Sequence, residues 1–466
     1  MSGPWWVAVT ALVAASAVAS LPYWLPDAVV ALRVRIFAWV NGEEGVPVPG
    51  GLVGTDAFKR VYSHPAADGR SRGAALSDLF WYWLAPGPEV HQEHLEPGPR
   101  YEEVARSTRE ILTGLDRASW AALVSRRAGP LLDALPGDRT SFVRLRDLMM
   151  PLWAEVYYEL VFAEPCPAAA RELIVANADD VVSALKCTRL RHMGRRDRLT
   201  RYLAQRIAEG AAPDALPASL TAREQGYYLQ GTFFNTAVVQ MSEAMAHLLL
   251  AIAAHPEVQL RLRADPDDAA YLDRVIDEVM RLYPLFGVAH RITSADIAVD
   301  GATIPTGSVL LFNYAEYQHA GLADGDRFDP DRWLEVSARD INFLPYGVSA
   351  NRPCPARGIA PIGMRVAARE VLRRFVLSSS AVHSRSLPSR GPCLLAPVGS
   401  GAPSARPGAA SGPGAARLAL LRLRDRWEGL GRSIVQLVLG SYMVWDARRR
   451  RLCQEYFASQ EQEART

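Results

Sequence analysis

Cys354 stands in a setting unlike that of any other cysteine in this sequence. It lies in Tyr346-Gly347 … Arg352-Pro353-Cys354-Pro355-Ala356, a turn-rich run with a cation two residues before the thiol, and a helix with good apolar periodicity, about Ile362 to Phe375, begins soon after it. Its neighbours set it apart from the other four cysteines. Cys166, Cys187, Cys393 and Cys453 lie far apart with no Cys-x-x-Cys pair, so neither a disulfide framework nor a zinc site is expected. They read as small buried hydrophobes. Upstream, Glu278 and Arg281 sit three apart on a helical stretch, where they share a face and can pair. The turn Arg327-Phe328-Asp329-Pro330-Asp331-Arg332-Trp333 then offers Arg332, which could reach back to Glu278. Each feature alone is ordinary, since such ion pairs are commonly solvated surface bridges; their fixed order is the signal.

The elements that must position these groups are mostly helical. Apolar spacing of helical period recurs from Asp56 to about Glu209, in segments such as Tyr101–Leu115, Ser141–Phe162 and Ala168–Leu185. Pro213 and Pro217 close that region, and Ser219 or Thr221 can cap the next helix. That helix is long and is expected from about Glu224 to His255. It is apolar on nearly every face, which places it inside a large fold or a membrane; the recurrence of Gln225, Gln230, Asn235, Gln240 and Glu243 favours the protein interior. A helix over Tyr271–Leu282 precedes short β-prone runs, Ile297–Val299 and Val309–Phe312, separated by turns. The expected fold is mainly α with a smaller β region.

The order of these features resembles the cytochrome P450 superfamily. Glu278-Val279-Met280-Arg281 is similar to the family's E-x-x-R, and Phe328 to Trp333 to its F-x-P-x-R-W segment. The resemblance implies a buried triad of Glu278, Arg281 and Arg332. Such a network is costly to desolvate, and fixing the core behind the cofactor is the supposed reason to keep it. The run Tyr346–Ala356 resembles the family's cysteine loop, with one extra residue before the arginine, Ala350 nearest the usual second glycine and Ala356 in place of the last. The resemblance implies haem b (iron protoporphyrin IX) with Cys354 as axial ligand to the iron, whose thiolate would favour cleavage of an O–O bond. It also implies propionate partners in Arg352 and in Arg291 of Ala289-His290-Arg291, with a further contact from the region of His91 and His94. The family's W-x-x-x-R or H-x-x-x-R pattern is not clear, since Trp120 has Val124 four residues on.

The long helix departs from the family's A-G-x-D/E-T. Matching by residue type lays that motif on Thr232-Phe233-Phe234-Asn235-Thr236, keeping the hydroxyl of Thr236 and replacing the acid by Asn235. Counting back from His255-Pro256 gives Thr236-Ala237-Val238-Val239-Gln240 instead, the register that spacing favours. Either way the carboxylic acid is gone, and an amide cannot supply a proton as an acid can. A positioned acid is typically worth about 10²–10⁴-fold, although Thr236, Gln240 and water can still relay protons. Three readings stay open. One is a monooxygenase oxidising a lipophilic molecule, plausibly in secondary metabolism, fed by an external ferredoxin or reductase. Another is a P450-fold enzyme that does not activate dioxygen and performs isomerisation, dehydration or nitrene-type transfer. The third is a silent haem sensor or partner protein.

A net charge of +2 with no basic stripe excludes nucleic acid as an expected partner. The arginines so outnumber Lys59 and Lys186 that the sequence reads as GC-rich and bacterial. No charged side chain occurs between Ser2 and Pro26, and Trp5–Leu21 is almost wholly apolar, near the low end of the roughly 17–25 residues that cross a bilayer. Trp5, Trp6, Tyr23 and Trp24 bracket it, and Arg33 and Arg35 would put the downstream side in the cytoplasm. The competing readings are a signal peptide, weakened by the lack of a positive n-region, and a buried core helix. Expected organisation is an anchor and linker start over 1–40, a haem domain over 41–398 that opens on a Pro/Gly linker (Gly45–Gly54), a low-complexity linker over 399–416, and an amphipathic extension over 417–466. The extension either lies on an anionic membrane surface or packs on the catalytic domain or a dimer partner.

Overall fold

The apolar stretch expected over Glu224–His255 is the axis of the structure, a computed structural model that describes residues 5–41, 45–72, 74–285, 287–381, 390–399, 413–463 and 465. Thr221 opens this central helix with a reciprocal capping box, its side chain receiving the Glu224 N–H while the Glu224 carboxylate receives the N–H of Thr221. The helix runs as Ala222–Gly231, a π-helical turn over Thr232–Ala237, and Val238–Ala254. His255 ends it, and Pro256 starts the next helix at its first position, where the missing N–H costs nothing. Met245, Leu248, Leu249, Leu250 and Ile252 are fully buried, and each such side chain contributes about 1.5–3 kcal/mol. The Leu145–Phe162 helix packs along it, with Tyr158 tilted against Phe234 and Phe162 stacked on the same ring, centres 6.0 Å apart. The charge on Glu243 is met by Arg146 at 2.6 Å and Lys186 at 2.7 Å.

Small sheets sit at the periphery. Strand β1 (Val46–Val48) runs parallel to β6 (Val309–Asn313), and β6 pairs antiparallel with β3 (Val288–Ile292), Arg291 facing Leu310. A second sheet orders β2 (Ser141–Arg144), β8 (Pro392–Pro397) and β7 (Phe375–Ser378), and β4 (Ile297–Val299) pairs with β5 (Ala302–Ile304). The architecture is therefore mainly α with a smaller β part. Two local expectations change. Gly45–Gly54 is not purely linker, because its valines supply β1, and Ser141–Arg144 is strand where helix was expected, because it pairs with β8.

The N-terminal helix runs Trp5–Asn41, through Pro22 and Pro26. Trp5 to Ala19 are exposed on every side, and packing begins at Ser20. Trp5–Arg33 and Ala222–Ala254 are, among the described residues, long and apolar enough to cross a membrane, but the second is mostly buried in protein. The C-terminal extension forms the helices Pro413–Arg450 and Leu452–Glu463. The first begins inside the stretch read as linker, of which 400–412 lie outside the described residues. It runs parallel to the N-terminal helix, with Arg426 over the ring of Tyr23 (4.3 Å) and Arg33 on Gln436 (3.2 Å). It also packs on the body. Met443, Val444 and Ala447 are buried against Leu79, Tyr82 and Trp83 of the Ala75–Leu84 helix, and Cys453 N–H donates to Asp78 Oδ1 at 2.9 Å.

Candidate active site

The cysteine loop is closed by a bond from Cys354 N–H to the Tyr346 carbonyl (3.0 Å). Its left-handed positions are Gly347 (φ 74°) and, unusually for a side-chain-bearing residue, Arg352 (φ 51°). Ala350 and Ala356 are not left-handed, so the loop turns without the two missing glycines. The Ala360–Arg374 helix comes next. Burial pushes the Cys354 thiol up to about 11, against the pull of the Ala356 and Arg357 N–H groups. The thiol therefore ionises near neutral pH only when a cation is bound to it.

Cys354 borders a cavity of about 220 Å³ whose opposite wall is the central helix, through Phe233, Thr236, Ala237, Gln240, Met241 and Ala244. This is one helical stripe, so Thr236 and Gln240 face the cavity. Asn235 does not line it; its Oδ1 is buried without a hydrogen-bond partner. The catalytic expectation for Asn235 is corrected on this point, since its direction on the helix takes it away from the cavity.

One edge of the site is cationic. Arg352 donates to the Leu95 carbonyl (2.6 Å) and lies over the Tyr101 ring, leaving Nη2 buried and unpaired. Arg291 donates to Tyr62 Oη (2.8 Å) and Asn351 Oδ1 (3.3 Å), and Tyr62 in turn bonds Tyr314 (2.5 Å). Arg70, 2% exposed, pairs with Glu93 at 3.2 Å but keeps Nε and Nη2 buried and unpaired. Burial, with Arg291 and Arg352 nearby, lowers the Arg70 guanidinium to about 9 despite Glu93. Burial would raise the Glu93 carboxyl, but Arg70, Arg291, His91 and Arg352 outweigh it and hold it low. The Arg70 loop is fixed by Glu96, whose carboxylate receives the N–H groups of Arg70, Ser71 and Arg72.

His91 joins the helical wall instead of this edge. Its Nε2 lies 2.9 Å from Thr236 Oγ1, and its Nδ1 accepts the Glu93 N–H at 3.2 Å. Both ring nitrogens are engaged, so the propionate contact expected of His91 is not the one this geometry offers. Behind the cysteine loop, Glu278 receives two bonds from Arg281 (2.9 Å each), one from Arg332 Nε (3.0 Å), one from Asp329 N–H and one from Trp333 Nε1. Arg332 also pairs with Asp324. Trp120 is buried and donates to the Ile359 carbonyl (3.0 Å).

A haem would meet a matching donor set here. The thiol lies on one wall, the lining is largely apolar, and the unpaired N–H of Arg352 calls for an anionic oxygen such as a propionate's, with the Arg70 guanidinium near it outside the lining. Sequence reading did not single out Arg70, Glu93, Tyr62 or Tyr314. Arg70 has no motif around it and reaches the site because Gly69 bridges to Ile292, each N–H bonding the other's carbonyl.

A family model described as Cytochrome P450 matches residues 227–397. Similar curated proteins include cyclooctat-9-en-7-ol 5-monooxygenase of Streptomyces melanosporofaciens, 29% identical over 140 residues (26% of this chain and 30% of that protein). Cytochrome P450 3A13 of Mus musculus is 31% identical over 156 residues, 29% of this chain and 31% of that one. The chain thus matches less than a third of the length of these relatives. Among solved structures, a mutant of cytochrome P450SP alpha superposes with a TM-score of 0.62 at 16% identity, covering 73% of this chain and 88% of that one. Cytochrome P450 OleT in complex with arachidonic acid gives 0.56 at 17%, covering 68% and 81%. At such identities the likeness is one of fold.

Proposed function

The chain belongs to the cytochrome P450 superfamily, and from that premise we propose that it is a haem-thiolate monooxygenase acting on a lipophilic small molecule. The observation that carries this reading is one cavity bordered by Cys354, by the hydroxyl of Thr236 and the amide of Gln240, and by Arg352, whose Nη2 is buried and unpaired. Cys354 would hold the haem iron through its thiolate, and a haem so held would supply oxidation chemistry, since the thiolate's electron density favours O–O cleavage. Arg352 would bind a propionate through its unpaired Nη2, with Arg291 held beside it by Asn351 and Tyr62 and Arg70 near both. Thr236 donates a hydrogen bond inside the cavity, and Gln240 orients water or substrate one turn on. Glu278, Arg281 and Arg332 lock the core behind the cysteine loop. The apolar lining, including Leu112, Phe233 and Met241, fits a lipophilic substrate; a role in secondary metabolism rests on family analogy alone.

Electrons come from an external ferredoxin or reductase. The Trp5–Arg33 stretch, exposed from Trp5 to Ala19, anchors the chain in a membrane, with the catalytic body on the cytoplasmic side. A second reading, a P450-fold enzyme that does not activate dioxygen, is favoured by one observation: the central helix presents no carboxylic acid to the cavity.

The test is the absorption spectrum of the reduced, carbon-monoxide-bound protein beside Cys354→Ala. A strongly red-shifted Soret band, lost in the variant, is expected. An unshifted band in folded protein, or one that survives the substitution, rejects the ligand assignment. Turnover that requires dioxygen and reductant then supports the monooxygenase; turnover without them supports the second reading.

A further inference from the structure

Side-chain hydroxyls on helices usually bond back to the carbonyl one turn earlier. Thr108 does so to Val104 and Ser242 to Val238. Thr236 does not: its bond is made to His91, which lines the same cavity, from a π-helical turn in which the ordinary ladder is broken. The tautomer of His91 is set by its other partner. Nδ1 receives the Glu93 N–H and so carries no proton, which leaves the proton of the neutral ring on Nε2. Burial holds the ring below its usual range, and the nearby Gly231 carbonyl also favours a proton on it. Nε2–H therefore donates to Thr236 Oγ1, and the threonine's own hydrogen is left to point elsewhere. His91 is seated for this by the short turn Pro88–Val90 and by Gly231, where an added Cβ would come within 3.1 Å of the imidazole. One turn earlier on the same wall, Thr232 Oγ1 is buried and unpaired, a second polar atom left for a bound molecule.

We propose that His91 is a positioning residue for Thr236, turning its hydroxyl hydrogen into the cavity and making it a fixed donor to an oxygen atom bound opposite Cys354. The pair stands in for the carboxylic acid that the central helix does not present to the cavity. This rests on the haem-thiolate reading and deepens it.

The test uses full-length, haem-loaded protein, reduced and bound to carbon monoxide, and reads the infrared C–O stretch, which falls when a pocket donor faces the ligand oxygen. Thr236→Val should shift the stretch upward. His91→Phe should shift it upward by a similar amount, because the freed hydroxyl can return to the Thr232 carbonyl. The double variant should add nothing further, and His91→Gln and Thr236→Ser, which keep donor and acceptor, should stay near the parent. A shift with Thr236→Val alone would remove His91 from the arrangement, and no shift with either would remove both. Loss of the red-shifted Soret band in the parent protein would instead reject the haem-thiolate reading, and this proposal with it. Its retention in each variant shows that the site is still folded.

Discussion

Asp277 shows how one half-buried carboxyl sets a pH dependence. Burial, with Asp273 one turn earlier, pushes its carboxyl up to about 6, whereas an unfolded aspartate sits near about 3.9. The folded state thus holds a proton that the unfolded state releases. This residue's contribution is fully present below about pH 4 and is lost as pH rises through about 6. Asp277→Asn should therefore raise stability at pH 7 by at most about 3 kcal/mol, reduced by solvent screening of a half-buried group, with the gain vanishing at pH 4. Urea denaturation at both pH values checks this; a gain independent of pH would mean that the charge is not its source. Residues such as Cys354 and Glu278 were legible because short-range spacing marks them. Arg70 and Glu93 were not, because the cluster exists only where a loop bridge and a strand bring Gly69 to Ile292, a contact without a local signature.

Among elements, the helix bearing Glu278 and Arg281 shows how a motif becomes structure. Asp268 caps it, receiving the N–H of Tyr271, and its apolar face buries Val275, Ile276 and Val279. That burial delivers Glu278 and Arg281 into the interior, both 0% exposed. Glu278→Ala would leave two guanidinium groups without their shared counter-charge. Breaking a buried pair in this way costs about 3–5 kcal/mol, so the denaturation midpoint should fall steeply and haem content with it; a parent-like midpoint would refute the triad's structural role. The central helix was legible from its all-round apolar pattern. Its π turn was not, because nothing in the side-chain pattern marks where the backbone ladder takes in an extra residue, and that turn contains Thr236.

At the scale of the molecule, the C-terminal extension is an arm folded onto the body. Sequence patterning found its amphipathic character and left open whether membrane or protein covers the apolar side. The structure covers one side with the Ala75–Leu84 helix and leaves Leu420, Val438 and Trp445 exposed on another. Met443, at 0% exposure, lies in the covered seam. Met443→Asp should undock the arm and lower the melting temperature well beyond the effect of Met443→Leu, which nearly conserves volume and should cost under about 1.5 kcal/mol. Equal melting temperatures for the two variants would mean that the seam contributes little.

The end of that arm bears on the order of assembly. Cys453 Sγ donates to the Ser71 carbonyl, Phe457 lies under the Arg72 guanidinium, and Glu461 pairs with Arg72, so the loop carrying Arg70 is gripped by Glu96 on one side and by the arm on the other. Ser71 and Cys453 are 382 residues apart in the chain. At about 5–20 residues per second of synthesis, the second grip arrives roughly 20–80 s after the loop has been made. The cationic edge of the site is thus completed by a segment made 382 residues after the loop it grips, and a nascent chain still lacking the arm presents that edge held from one side only.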